Sequence, residues 1–248
     1  MRPVGFSTGA IAYSDFSHAL DVLMGEPVNC VELSALRLPE VAPLLSSVGN
    51  LPLDQYTYVS FHAPSSFTAE QEHDLVSNLV KYLPRSWPIV LHPDTIHDAE
   101  LWRGFGAQLA IENMDRRKLS GRTAHELAGV FDEIPDAVLC FDIGHARQCD
   151  TSMTEAYEIL RRFQPRLRQV HISEVNTRSQ HDPLSFASKV AFQQVANLIP
   201  EDVPIIIESR VEERAIRSEI QNVQEALCTT QEAVSLHHSA SRVYRLQL

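Results

Sequence analysis

Eight short apolar runs alternate with helix-patterned segments along this chain, and that alternation leaves few folds open. The runs are Val4-Gly5-Phe6-Ser7-Thr8 and residues 28–33, 58–62, 89–92, 109–112, 138–142, 168–172 and 205–208. They are continuously apolar rather than alternating polar with apolar, which is how strands read when both faces of a parallel sheet are covered. Strand–helix–strand units of this kind are right-handed, and eight of them close a barrel. Helical segments are expected at 15–24, with Ser14 as N-cap, and from Thr68, where Thr-Ala-Glu-Gln has the form of a capping box. Others fall at 97–103, 123–131, 154–163, 188–198 and 212–227, and the stretch between the second and third strands carries no assigned helix bounds. No linker interrupts the pattern. Residues 1–248 are therefore expected to form a single α/β domain, a (β/α)8 TIM barrel, for which 248 residues is a typical length.

Six consecutive strands end on a metal-ligand type of side chain. They close on Phe61-His62, Leu91-His92, Ile111-Glu112, Phe141-Asp142, Val170-His171 and Ile207-Glu208. Parallel strands bring these ends to one rim, and a charged tip on an apolar strand is costly unless something binds it. Chance placement of such residues at six successive strand ends is rare enough that a divalent-ion site is the better reading. His145, three residues after Asp142, and His181, ten after His171, extend the set. Glu32 also ends a strand and is expected behind or beside the site, and Asn113 is expected to support it. His18, His73, His97 and His125 fall in helical segments, and His237 and His238 in a tail of no legible role; all are expected at the surface.

The formal net charge of −11 and the absence of a basic run argue against a duplex nucleic-acid partner, which is held mainly through Lys and Arg. Arg116, Arg117, Lys118 and Arg122 cluster, but are read as a solvated loop. No run of about 18 apolar residues is present, so no membrane span is expected. The N-terminus enters a strand without a signal-peptide core. Four cysteines lack CxxC spacing, and Cys30 and Cys140 lie within strands as small buried residues. A cytoplasmic location is expected.

The ordered set His, His, Glu, Asp-x-x-His, His, His, Glu on the third to eighth strands resembles the xylose isomerase-like barrels. That superfamily includes endonuclease IV, the ultraviolet-damage endonuclease and many sugar isomerases and epimerases. The resemblance implies a central site of Glu112, Asp142, His171 and Glu208, a second metal held by His62 and His92 with Glu112, and a third at His145 and His181. Where endonuclease IV has an Asp two residues before the last His, this chain has Ser179; Asp182 is the candidate substitute. His171-Ile172-Ser173-Glu174-Val175-Asn176 is similar to the His-x-x-Glu-x-Asn stretch of ketose 3-epimerases, with Thr177 and then Arg178 where those enzymes have Arg at once. In that branch His145 would meet substrate instead of metal.

Imidazole and carboxylate donors suit two or three Zn, Mn or Fe ions. A Glu112 bridge between two ions fits hydrolysis of a phosphoester. One ion would suffice for isomerisation or epimerisation of a sugar, with Glu112 and Glu208 moving the proton. The extra histidines favour the multinuclear reading, or a metal-based oxidation, on a small phosphorylated or polyhydroxy substrate; a non-catalytic binding protein is the third class. No strand-end Lys supports a Schiff base, and no glycine-rich loop supports a nucleotide cofactor. Oligomeric state is not legible.

Overall fold

The computed structural model describes residues 2–228. Eight parallel strands close a barrel: β1 (Val4–Ser7), β2 (Cys30–Ser34), β3 (Tyr58–His62), β4 (Ile89–Leu91), β5 (Leu109–Glu112), β6 (Val138–Asp142), β7 (Leu167–Ile172) and, last, β10 (Ile205–Ile207). β10 pairs with both β7 and β1, which completes the ring. Between β7 and β10 in the chain lies a hairpin of two short antiparallel strands, β8 (Glu174–Val175) and β9 (His181–Asp182).

The helices are α1 (Thr8–Ala12), α2 (Phe16–Leu23), α3 (Leu38–Ser47), α4 (Ala69–Tyr82), α5 (Ala99–Arg103), α6 (Ala124–Glu133), α7 (Ile143–Cys149), α8 (Thr154–Phe163), α9 (Phe186–Gln193) and α10 (Ile216–Ala226). Their apolar faces pack on the outside of the strands in one cluster that includes Phe6, Leu33, Phe61, Trp102, Phe141 and Ile207. Among the described residues no helix is long and apolar enough to cross a membrane.

Several bounds differ from the sequence expectation, each for a local reason. The cap of α2 is Asp15, not Ser14: its carboxylate accepts from His18 N at 3.0 Å. The unassigned stretch after β2 holds α3, where Pro39 suits the first turn but Pro43 stands inside the helix and removes one internal hydrogen bond. Burial of Val41, Leu44 and Leu45 offsets that loss. The capping box at Thr68 forms, with Gln71 Oε1 accepting from Thr68 N at 3.0 Å. His92 lies one residue beyond β4, and Glu208 one beyond β10. His18, His73, His97 and His125 are exposed, as expected; the positions of His237 and His238 lie outside the described residues.

Register brings the tips to one rim with a stagger, Glu112 lying opposite Cys140 and His171 opposite Ile206. His62 aligns with Ser34 and Val90, and Asp142 with His171. A shift between Leu139 and Cys140 in the β6–β7 pairing permits the second alignment. Gly144 lets α7 start hard against the end of β7, since a Cβ there would stand 2.5 Å from Ser173 O. Beneath the rim the barrel is filled partly by polar groups. Tyr58 OH donates to Gln169 Oε1 at 2.6 Å, and Gln169 Nε2 donates to Glu32 Oε2 at 2.7 Å.

Candidate metal centre

All eight residues singled out in the sequence converge at the C-terminal end of the barrel. Glu112 is the centre. Its Oε2 lies 3.2 Å from Nε2 of both His62 and His92. Its Oε1 lies 3.2 Å from His171 Nδ1 and 3.5 Å from His145 Nδ1. The two oxygens of one carboxylate therefore face two different groups of donors.

Four sets of donors each stand within 4.8 Å of one another: His62, His92 and Glu112; Glu112, Asp142, His171 and Glu208; Asp142, His145 and His181; and Glu32, His62, His171 and Glu208. The expectation that Asp182 would serve the third set fails. Asp182 is exposed and accepts from Asn176 Nδ2 at 2.8 Å, because the β8–β9 hairpin turns it outward. Asp142 takes its place: Oδ1 caps α7 by accepting from His145 N at 2.6 Å, while Oδ2 is buried without a hydrogen-bond partner and 3.4 Å from His145 Nδ1. Ser179 points elsewhere, donating to Asp115 Oδ1 at 2.9 Å.

Supporting groups fix the rings. His62 Nδ1 meets Ala63 O at 2.7 Å, so its proton belongs there and a neutral ring turns the Nε2 lone pair on Glu112. His171 Nε2 lies 3.1 Å from Glu32 Oε2, which leaves Nδ1 for Glu112 and for Glu208 Oε1 at 3.5 Å. His145 Nδ1 is 3.0 Å from Asn113 O, and the Asn113 side chain brackets the Asp142 backbone with two bonds of 2.8 Å. His181 Nδ1 is 2.8 Å from Ser173 Oγ and 3.3 Å from Glu208 Oε2. In His62 and His171 the partner sits on the ring nitrogen turned away from Glu112, as ligating histidines commonly have it, whereas in His145 and His181 it shares Nδ1 with the facing carboxylates.

The donors fit divalent ions. A neutral Nε2 and a carboxylate oxygen are both acceptors, and at 3.2 Å they repel unless a cation or a proton lies between them. Ligands about 2.0–2.2 Å from a shared ion stand roughly this far apart. Buried Asp142 Oδ2 and His92 Nδ1, both without partners, are further atoms that a bare protein leaves unsatisfied.

Titration follows the same crowding. Burial pushes Glu112 up, but the facing His171, His62 and His92 hold it well below the usual carboxylate range. Burial pulls His62 down, yet the bond to Glu112 and the nearby carboxylates raise it to about 9. Burial raises Asp142 and Glu208, and lowers His181.

Glu32 was expected behind or beside the site; Gln169 was not anticipated. Glu32 is fully buried beneath His171 and also accepts from Ser60 Oγ at 3.0 Å. Gln169, two residues before His171, shares its side of β7; polar residues two apart in an apolar strand were the available signal. Glu174 and Asn176, the epimerase-like fragment, serve the hairpin instead. Glu174 pairs with Arg147 at 3.4 Å and accepts from Ser185 N, and Asn176 Oδ1 accepts from Arg178 N. Arg117 and Lys118, read as part of a solvated loop, line the cavity above the centre, paired with Asp115 and Asp94. That cavity measures about 880 Å³.

Fold and donor clusters together point to a known class of barrel. The chain belongs to the xylose isomerase-like TIM barrel family, whose model matches residues 96–227. Among solved structures it is similar to endonuclease IV from Thermus thermophilus, at 17% identity over 89% of this chain and 99% of that one, TM-score 0.56. It is also similar to the IolI protein with a bound zinc atom, at 11% identity over 92% and 98%, TM-score 0.59. A third is 3-keto-D-glucoside 4-epimerase from E. coli, at 10% identity over 91% and 99%, TM-score 0.54. At these identities the likeness is one of fold. No curated protein matches the chain by sequence.

Proposed function

We propose that this protein is a multinuclear metal-dependent hydrolase acting on a small phosphorylated substrate. One observation carries the reading: the two oxygens of Glu112 face separate donor groups, His62 with His92 on one side and His171 with His145 on the other. A carboxylate so placed would be able to serve two ions at once. His62, His92 and Glu112 would hold one; Glu112, Asp142, His171 and Glu208 a second; Asp142, His145 and His181 would serve a third. Zn, Mn or Fe suits these nitrogen and oxygen donors.

Divalent ions in these positions supply Lewis-acid polarisation of the phosphoryl oxygens and lower the pKa of water. The rest falls to the chain. Glu32 holds His171 by Nε2, so that Nδ1 points at the reacting space. Ala63 O does the same for His62 from the Nδ1 side. Glu208, 14% exposed at its side chain, borders the cavity beside the reacting space. The cavity of about 880 Å³ is within the range that takes small ligands, and favours these over a duplex.

A second reading is isomerisation or epimerisation of a sugar over one ion. It is favoured by Glu112 and Glu208 belonging to one donor set, where one could take a proton and the other return it. Metal analysis of the purified protein, with assays on phosphoesters and sugars, separates the two. The hydrolase reading expects two or three ions per chain and release of inorganic phosphate. One ion per chain, with solvent deuterium entering a sugar carbon, would replace it with the second.

A further inference from the structure

The six ligand-tipped strand ends do not include β1 or β2, yet the loops after these two strands also border the cavity. They contribute Tyr13 and Arg37, and the loops after β7 and β10 contribute Arg178 and Arg210. In the ring β7, β10, β1 and β2 are consecutive, so these residues occupy one arc of the mouth.

The five cations lining the cavity differ in their commitments. Arg117 and Lys118 are neutralised by Asp115 and Asp94. Arg37, Arg178 and Arg210 make no ion pair among the described residues, in a chain where acids outnumber bases by 32 to 21. Their backbones are nonetheless pinned. Arg178 N donates to Asn176 Oδ1 at 2.8 Å, and Arg178 O accepts from Arg117. Arg210 N donates to His181 O at 3.1 Å, and Arg37 N to Glu40 Oε2 at 3.2 Å. The Arg210 guanidinium lies 5.1 Å from the centre of the exposed Tyr13 ring. Stacking on its face leaves the in-plane N–H groups free for an oxyanion. Tyr13 and neighbouring Ser179 hold φ of 54°, a conformation that non-glycine residues adopt at a cost. The three side chains are exposed at the mouth of the cavity, and their unpaired guanidinium groups offer N–H pairs that an oxyanion can engage.

We propose that Arg37, Arg178 and Arg210, with Tyr13, form a subsite for a second oxyanion group of the substrate, apart from the group that reacts on the cavity floor. The substrate class is then a small molecule with two anionic groups: a bisphosphate, or a phosphate ester that also carries a carboxylate. This rests on the phosphoester reading for the reacting group only. The same arc would focus anions onto an otherwise acidic protein.

Calorimetry on the metal-loaded protein tests it with matched pairs of probes. Fructose 6-phosphate is compared with fructose 1,6-bisphosphate, and glycerol 3-phosphate with 3-phosphoglycerate. The second anionic group should tighten binding about tenfold or more in at least one pair, and the pair that gains identifies the group as phosphate or carboxylate. The triple variant R37A/R178A/R210A should lose that gain with its metal content unchanged, while R161A, an exposed arginine not lining the cavity, should keep it. Equal affinity within both pairs, or a gain that survives the triple variant, overturns the subsite. Sub-micromolar binding of an abasic duplex at about 150 mM salt, abolished by the triple variant, overturns the small-molecule assignment. If no phosphoester is hydrolysed but the arginine-dependent gain is measured, the hydrolase reading fails and the subsite stands.

Discussion

The two wings of the centre are built differently. On one side, His62 ends β3 and His92 follows β4, and both meet the same oxygen of Glu112 at 3.2 Å. On the other, His145 stands in the first turn of α7 and His181 on the hairpin strand β9, and their carboxylate distances are 3.3–3.5 Å. Sheet register fixes the first wing. Loop hydrogen bonds fix the second: Ser173 holds His181, and Gln148 Nε2 holds the hairpin through Asn176 O at 2.6 Å. A site carried by barrel strands opens less readily than one carried by a hairpin. The first wing should therefore bind its ion more tightly.

Glu112 is common ground, and its removal should have the largest effect. Glu112→Ala takes away the carboxylate that serves both sides and leaves His62 and His92 with no anionic partner in their set. The two ions whose sets include Glu112 should be lost, leaving at most the one at Asp142, His145 and His181, and turnover should fall by about 10³-fold or more, as when a group acting in a catalytic unit is lost. Full metal content in this variant would show that the wings do not share the carboxylate.

Single histidines then separate the wings. His62→Ala should remove one ion per chain and leave the set of Glu112, Asp142, His171 and Glu208 loaded. His181→Ala should leave two ions bound and change turnover less. Metal analysis after dialysis reads both, and the opposite order would mean that the hairpin wing is the tighter one. Glu32→Gln acts on the central set. It keeps the shape but weakens the bond that orients His171, and should lower metal affinity about 10–100-fold, measured by competition with a chelator. An unchanged affinity would make Glu32 a filler of the barrel interior.

The same contrast divides what the sequence disclosed from what it concealed. The bounds of β3, β5 and β6 were legible, because a continuous apolar run ending in a charge depends only on local pattern. The rim of six ligand types followed from that. The partner of His181 was not legible, since whether Asp182 or Asp142 faces it depends on how the β8–β9 hairpin folds back. Nor was α3, with its internal Pro43. Arg178 and Asp115 reach the cavity through hydrogen bonds between segments far apart in sequence, for which no spacing rule exists.

The smallest effect is expected from pH, and it also tests the tighter wing. In protein stripped of ions, His62 is raised from its ordinary value to about 9 by Glu112 and neighbouring carboxylates that outweigh burial. A raised histidine contributes stability that is fully present below its unfolded pKa of about 6.5 and is lost as pH rises through its folded value. The stripped protein should therefore lose stability between about pH 6.5 and 9, read as a fall of several degrees in Tm. Ion-loaded protein needs His62 deprotonated, so this loss should be absent there and ion affinity should increase across the same window. His62→Ala should reduce the loss in the stripped profile without abolishing it, since, against burial, neighbouring carboxylates also raise His145 and His171, whereas His181→Ala should leave it unchanged, because burial lowers His181. A flat profile in the stripped wild-type protein would mean that no proton stands between His62 and Glu112, and with it would go the argument that a cation belongs there.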